Sequence, residues 1–189
     1  MQMIELVKGQ RVSLTKENSN LDHLHVGLGW DVKESRGASF DLDACVLLIG
    51  TSGKVEDNRN VIFYNNLESL DGSVRHMGDN LTGNGDGDDE VVKVTLSKVP
   101  STIQKIVFFV SIYNAKRRWQ NFGQISNAFI RIVDEISGAE LLRFNLTEDY
   151  SLANSVVVGE LYKHNNEWKF NATGSGLDVE LNGVIKKYM

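Results

Sequence analysis

Residues 78–90 read Gly78-Asp79-Asn80-Leu81-Thr82-Gly83-Asn84-Gly85-Asp86-Gly87-Asp88-Asp89-Glu90, five carboxylates and two carboxamides among four glycines. A packed core has no use for such a run. Its chemistry is that of a solvated, flexible acidic loop or that of a loop folded around a hard cation. In the second case glycine supplies the bends and oxygen the ligands. An EF-hand needs ligands at positions 1, 3 and 5, glycine at 6 and glutamate at 12. Starting at Asn80 puts Gly85 at 6 but Val91 at 12, and starting at Asp86 puts Val91 where glycine belongs. Any calcium loop here is of another kind.

Further acids fall where strands begin or end. Phe40-Asp41-Leu42-Asp43-Ala44 alternates at period two, so Asp41 and Asp43 share one face at the entry of an apolar strand. Asp31 closes the stretch Gly27-Leu28-Gly29-Trp30-Asp31, Asp71 opens an Asp-Gly turn, and Glu90 stands at the entry of the alternating strand that follows. If these ends meet, the site comprises Asp31, Asp41, Asp43, Asp71, Asp79, Asp86, Asp88, Asp89 and Glu90. Removing those charges would move the formal balance from −5 to +4. Two carboxylates ~5 Å apart repel by roughly 3 kcal/mol at an effective dielectric near 20, so a gathering of them opposes folding unless cations bind. Calcium accepts roughly six to eight oxygens in irregular geometry, including carboxamide and backbone carbonyl oxygens, whereas magnesium demands near-octahedral order. Zinc lacks its ligands: His23, His25, His76 and His164 form no HExxH pair, and Cys45 is the sole cysteine.

An enzymatic reading, in which the acids hold a metal for hydrolysis or bind a phosphate or nucleotide, is the alternative. No dinucleotide fingerprint, Walker loop or nucleophile elbow supports it; Gly50-Thr51-Ser52-Gly53-Lys54 lacks the Walker spacing. The one basic cluster, Lys116-Arg117-Arg118, is either a solvated loop after a strand or a partner contact.

The elements that position these residues read as β. Strands are expected over residues 4–7 and 11–14, joined as a hairpin across Lys8-Gly9-Gln10, and over 24–28, 40–49, 61–64, 91–96, 106–113, 129–133, 141–146, 156–162 and 168–172. Residues 32–39 read as a polar loop, and Asn165-Asn166 as a hairpin turn. Leu177, Leu181, Val184 and Tyr188 mark one face of a C-terminal helix. The expectation is an all-β sandwich of two mainly antiparallel sheets with few short helices, forming one domain over residues 1–189. No apolar run approaches the ~18 residues of a membrane span, and the start lacks the basic and apolar segments of a signal peptide. A cytoplasmic location is expected. A net charge of −5 predicts no nucleic-acid binding and no direct membrane insertion. With one cysteine no intrachain disulfide forms.

In order along the chain, Lys8-Gly9 with Ser13-Leu14-Thr15, Gly27-Leu28-Gly29-Trp30-Asp31, Phe40-Asp41-Leu42-Asp43-Ala44, Phe63-Tyr64-Asn65-Asn66, Asp71-Gly72-Ser73-Val74, Gly78-Asp79-Asn80 and Gly87-Asp88-Asp89-Glu90 resemble the TerD family of bacterial tellurite-resistance and stress proteins. Phe122-Gly123-Gln124, Gly159-Glu160-Leu161-Tyr162 and Trp168-Lys169-Phe170 extend the match over nearly the whole chain. The resemblance implies a non-enzymatic stress-response module that binds calcium, as two ions, through Asp31, Asp41, Asp43, Asp71, Asp79, Asn80, Asp86, Asp88, Asp89 and Glu90. It also implies a calcium-stabilised interaction surface, with a TerC-type membrane protein and other Ter proteins as partners at the inner membrane face. Cys45 and Asn84 depart from the family pattern, where a small residue and an acid are usual.

Overall fold

The computed structural model describes residues 3–16, 18–31, 40–78, 87–146 and 150–189. Among these, the elements in chain order are β1 (Ile4–Glu5), β2 (Arg11–Ser13), β3 (His23–Asp31), β4 (Leu42–Gly50), β5 (Val61–Ile62), β6 (Val74–His76), β7 (Glu90–Thr95), β8 (Ile103–Ile112), α1 (Ala115–Arg118), β9 (Ser126–Asp134), β10 (Glu140–Asn145), β11 (Ser155–His164), β12 (Glu167–Leu177) and α2 (Leu181–Tyr188). Two six-stranded sheets result, with strand orders β1-β10-β9-β3-β7-β6 and β2-β12-β11-β8-β4-β5. Every pairing is antiparallel except β1 with β10. This is the expected two-sheet β-sandwich, with its longer helix at the C-terminus.

Period-two alternation builds the interior. Leu24, Val26, Leu28 and Trp30 of β3 point inward to meet Leu42, Ala44, Val46 and Leu48 of β4 and Ile106, Phe108, Val110 and Ile112 of β8. The other face of β4 is buried too. Cys45, Leu47 and Ile49 pack with Val107, Phe109 and Val157 beneath Val184, Leu181, Ile185 and Tyr188 of α2. The helix therefore covers the outer face of the second sheet, which explains why residues 44–49 read as a continuous apolar run. Leu177, expected on the helix, instead ends β12.

The expected N-terminal hairpin is not formed. β1 joins β10 in the first sheet, and β2 joins β12 in the second. The chain turns at Gly9, whose φ of 85° suits glycine and whose N–H donates to Ala172 O. Two short strands that read as partners are in fact the last strands of opposite sheets, because Leu6 and Leu14 each find a place in the core between the sheets. Elsewhere the ends moved more than the elements. β3 runs on to Asp31, β12 to Leu177, and β5 stops at Ile62, where Phe63 and Asn66 pair across a turn. Asn165 and Asn166 both have positive φ, 52° and 62°, as a two-residue hairpin turn requires. The expected loop at 32–39 lies outside the described residues.

A candidate cation site at one end of the sandwich

Strand register brings the acids together. β7 pairs with β3 so that Glu90 lies opposite Leu28, placing the start of β7 beside the end of β3. In the other sheet Leu42 lies opposite Ile112, placing the start of β4 at the end of β8. The two sheets are joined at this end by Glu90, which faces inward and accepts a hydrogen bond from the Ala44 N–H at 2.6 Å. β5 reaches only as far as Val46, so the Ala44 peptide lies beyond the last β4–β5 rung. Glu90 takes its N–H, and the His76 Nε2–H donates to its carbonyl at 3.1 Å. His76 Nδ1 in turn accepts from the Gly78 N–H at 3.2 Å. Both ring nitrogens are thereby engaged, the ring is the Nε2–H tautomer, and neither nitrogen is left for a metal.

Asp41, Asp43 and Glu90 are 5%, 3% and 1% exposed, burial that costs a carboxylate several kcal/mol unless a counter-charge or donors compensate. Arg118 is near: its Nη1 lies 3.9 Å from Asp41 Oδ2, with the guanidinium over the Tyr113 ring. The negative potential registers on Cys45, whose thiol is raised well above its ordinary value by burial first and then by Asp43 and Glu90. This cysteine is a buried thiol and not an activated nucleophile.

Asp31 and Asp89 lie at the same end of the sandwich, on the first sheet. Asp89 N–H donates to Leu28 O at 2.7 Å, and its carboxylate accepts from the Trp30 N–H at 2.9 Å, so residues 87–89 run along the end of β3. Burial raises the Asp89 pKa, the Trp30 N–H opposes that rise, and the neighbouring charges of Asp88 and Asp31 add to it. Asp31 accepts from Asn127 Nδ2 at 2.6 Å.

Two residues named from the sequence are engaged elsewhere. Asp71 Oδ1 accepts from the Ser73 N–H at 2.7 Å and from Ser69 Oγ at 3.0 Å, an Asx-type turn. Its neighbour Ser73 binds Thr95 at the far end of β7, roughly 17 Å of strand from Glu90. Asp88 packs over Gly27 on the outer face of the first sheet, where Arg131 and His25 hold it. Asp79, Asn80 and Asp86 lie outside the described residues. The basic cluster is largely engaged within the molecule as well. Lys116 Nζ binds the Asp178 carbonyl at 3.1 Å and its carboxylate at 3.3 Å, Lys116 N–H binds Glu180, and Arg118 faces Asp41, leaving Arg117 exposed. Sequence reasoning missed His76, His25 and Arg131, which reach Ala44 and Asp88 across 32 to 63 residues of chain. Beside α1, Trp119 and Leu152 are 86% and 82% exposed and border a common groove.

The donor chemistry is of the hard-cation kind: carboxylates from three stretches of chain lie at one end of the sandwich, where both His76 ring nitrogens are engaged and the Cys45 thiol is buried. Among the described residues, no three of the His, Cys, Asp and Glu side chains by themselves close into a metal polyhedron.

The TerD domain model matches residues 1–188. The chain is 53% identical over 186 residues to General stress protein 16U of Bacillus subtilis (strain 168), covering 98% of this chain and 96% of that one. It is 49% identical over 185 residues to Tellurium resistance protein TerD of Serratia marcescens, covering 98% and 96%. Among solved structures, a homologue of telluride resistance protein (TerD) from Streptomyces coelicolor A3(2) superposes with a TM-score of 0.75 at 20% identity, over 88% of this chain and 96% of that one. That last likeness is one of fold.

Proposed function

The chain belongs to the TerD family, and on that premise we propose that it is a non-enzymatic, calcium-binding module of the tellurium-resistance and general-stress type. The observation that carries the reading is the burial of Asp41, Asp43 and Glu90 at one end of the sandwich, beside Asp31 and Asp89. Arg118 Nη1 lies 3.9 Å from Asp41 Oδ2, and His76 and Glu90 both engage the Ala44 peptide. A divalent cation would add counter-charge at this end, with Asp31, Asp41, Asp43, Asp89 and Glu90 as its carboxylates. The sequence assigns Asp79, Asn80 and Asp86 to the same site, enough oxygen for two ions. Bound calcium would tie the start of β4 to the β3 and β7 ends, making this end of the sandwich a surface whose rigidity depends on the ion. Exposed Trp119 and Leu152, on the loops after β8 and before β11, suit that end for docking. A TerC-type membrane protein or another Ter protein is the partner class, which would hold a cytoplasmic chain at the inner membrane. Among the described residues no helix is long and apolar enough to cross a membrane.

Calorimetric titration of the purified chain with calcium tests this. Heat of binding is expected for the wild type, with affinity falling at least about tenfold in Asp43→Asn and Asp41→Asn and unchanged in Asp71→Asn, whose carboxamide keeps the turn. A chain that neither binds millimolar calcium nor melts at a higher temperature in its presence would falsify the reading.

A further inference from the structure

Three consecutive acids at the start of β7 point in three directions. Glu90 faces inward to Ala44, Asp89 reaches Trp30, and Asp88 lies on the outer face of the first sheet. Asp88 is 5% exposed at its side chain, and its oxygens are taken. Arg131 Nε donates to Oδ1 at 2.8 Å, Arg131 Nη2 to Oδ2 at 3.1 Å, and His25 Nε2 lies 2.7 Å from Oδ2. The guanidinium is itself set by Glu140, which accepts from Arg131 Nη1 at 2.9 Å and from Arg143 Nε at 2.7 Å. Gly27, directly opposite Arg131 in the β3–β9 register, has no side chain, and the Asp88 carboxylate fills the space a Cβ would need.

The geometry points to Asp88 and Arg131 as positioning residues for the cation site: a bidentate ion pair, seated on Gly27, that pins residues 87–89 against β3 and so aims Asp89 and Glu90. Asp88 is not a ligand of the ion. A carboxylate forked by a guanidinium and touched by an imidazole presents no free convergent oxygen pair, and it carries its counter-charge already. The inference rests on the proposed calcium site, which the pair would support from behind as outer-shell partners support metal ligands.

Two measurements on the full chain test it. In calcium titrations, Asp88→Asn and Arg131→Gln are each expected to lose about tenfold in affinity, with the double variant no worse than either, and Arg131→Lys falling between. A ligand role for Asp88 predicts the opposite sign at Arg131: freeing the carboxylate would leave or raise affinity, and that result overturns the inference. In chelator, amide exchange by NMR is expected to speed up at Asp89 in Arg131→Gln and Asp88→Asn, while Val157 in the second sheet exchanges as in the wild type. Unchanged exchange at Asp89 overturns the clamp even where affinity falls, and equal acceleration at Val157 reduces it to a general contribution to stability. Should the wild type bind no calcium, the proposed function fails, and the exchange experiment alone decides whether residues 87–89 are clamped.

Discussion

The carboxylate of Asp89 sits in an environment that disfavours its charge and accepts a backbone hydrogen bond that favours it. Burial and the charges of Asp88 and Asp31 win, so its pKa is raised. Asp89→Asn keeps an oxygen for the Trp30 N–H and removes the charge. In chelator at pH 7 the variant is therefore expected to melt above the wild type, and in saturating calcium below it, a crossing that differential scanning calorimetry reads directly. A residue of purely structural importance would lower both. Glu140 shows the contrary sign. Arg143 first, and Arg131 second, hold its carboxyl below the usual range. A depressed carboxylate contributes stability above its unfolded pKa of ~4.3, and that contribution disappears as pH falls through the lower folded value. Glu140→Gln is expected to cost up to about 1 kcal/mol at pH 7, given its partial exposure, and to match the wild type in acid, by urea denaturation at each pH. At this scale the position of Asp41 and Asp43 at the entry of an apolar strand was legible, because two acids alternating into such a strand are out of place in any core. Asp71 and Asp88 were not. An acid looks the same in sequence whether it meets a cation, a turn N–H or an arginine 43 residues away.

The stretch Gly27-Leu28-Gly29-Trp30-Asp31 becomes intelligible as one strand built to be crossed. Its even-numbered side chains, Leu28 and Trp30, enter the core, while its glycines lie on the outer face beneath residues 87–89. A Cβ on Gly29 would lie 2.6 Å from Phe129 Cζ and 2.9 Å from the Gly87 carbonyl oxygen. The ring could shift; the backbone carbonyl belongs to the crossing segment and could move only by lifting it. Gly29→Ala is accordingly expected to cost about 1–3 kcal/mol in urea denaturation, the usual scale for overpacking. Alternation in the sequence shows which face of β3 is inward, but a glycine there reads equally as a weak strand end or as room for a neighbour. The same ambiguity produced the expected hairpin at residues 4–14. Local pattern marks two strands and a turn, while their assignment to different sheets is decided by core positions for Leu6 and Leu14 that only the assembled sandwich provides.

For the molecule as a whole, the sandwich separates two tasks. Its middle is apolar on both faces of the second sheet, covered on one side by the first sheet and on the other by α2. Its acidic end gathers charge that the apolar middle cannot compensate. Calcium should therefore raise stability without being required for folding, unlike a small metal-nucleated domain. Linkage gives about 2.7 kcal/mol at a hundredfold excess of calcium over its dissociation constant. For a chain of 189 residues that corresponds to a rise in melting temperature of about 5–10 °C. In chelator the chain is still expected to unfold cooperatively, with native far-ultraviolet circular dichroism beforehand. Loss of that signal on chelation would mean that the ion nucleates the sandwich itself. The amide exchange of the two sheets in chelator then locates the effect: protection lost at Asp89 and Ala44 and kept at Val107 and Phe109 assigns it to the acidic end alone.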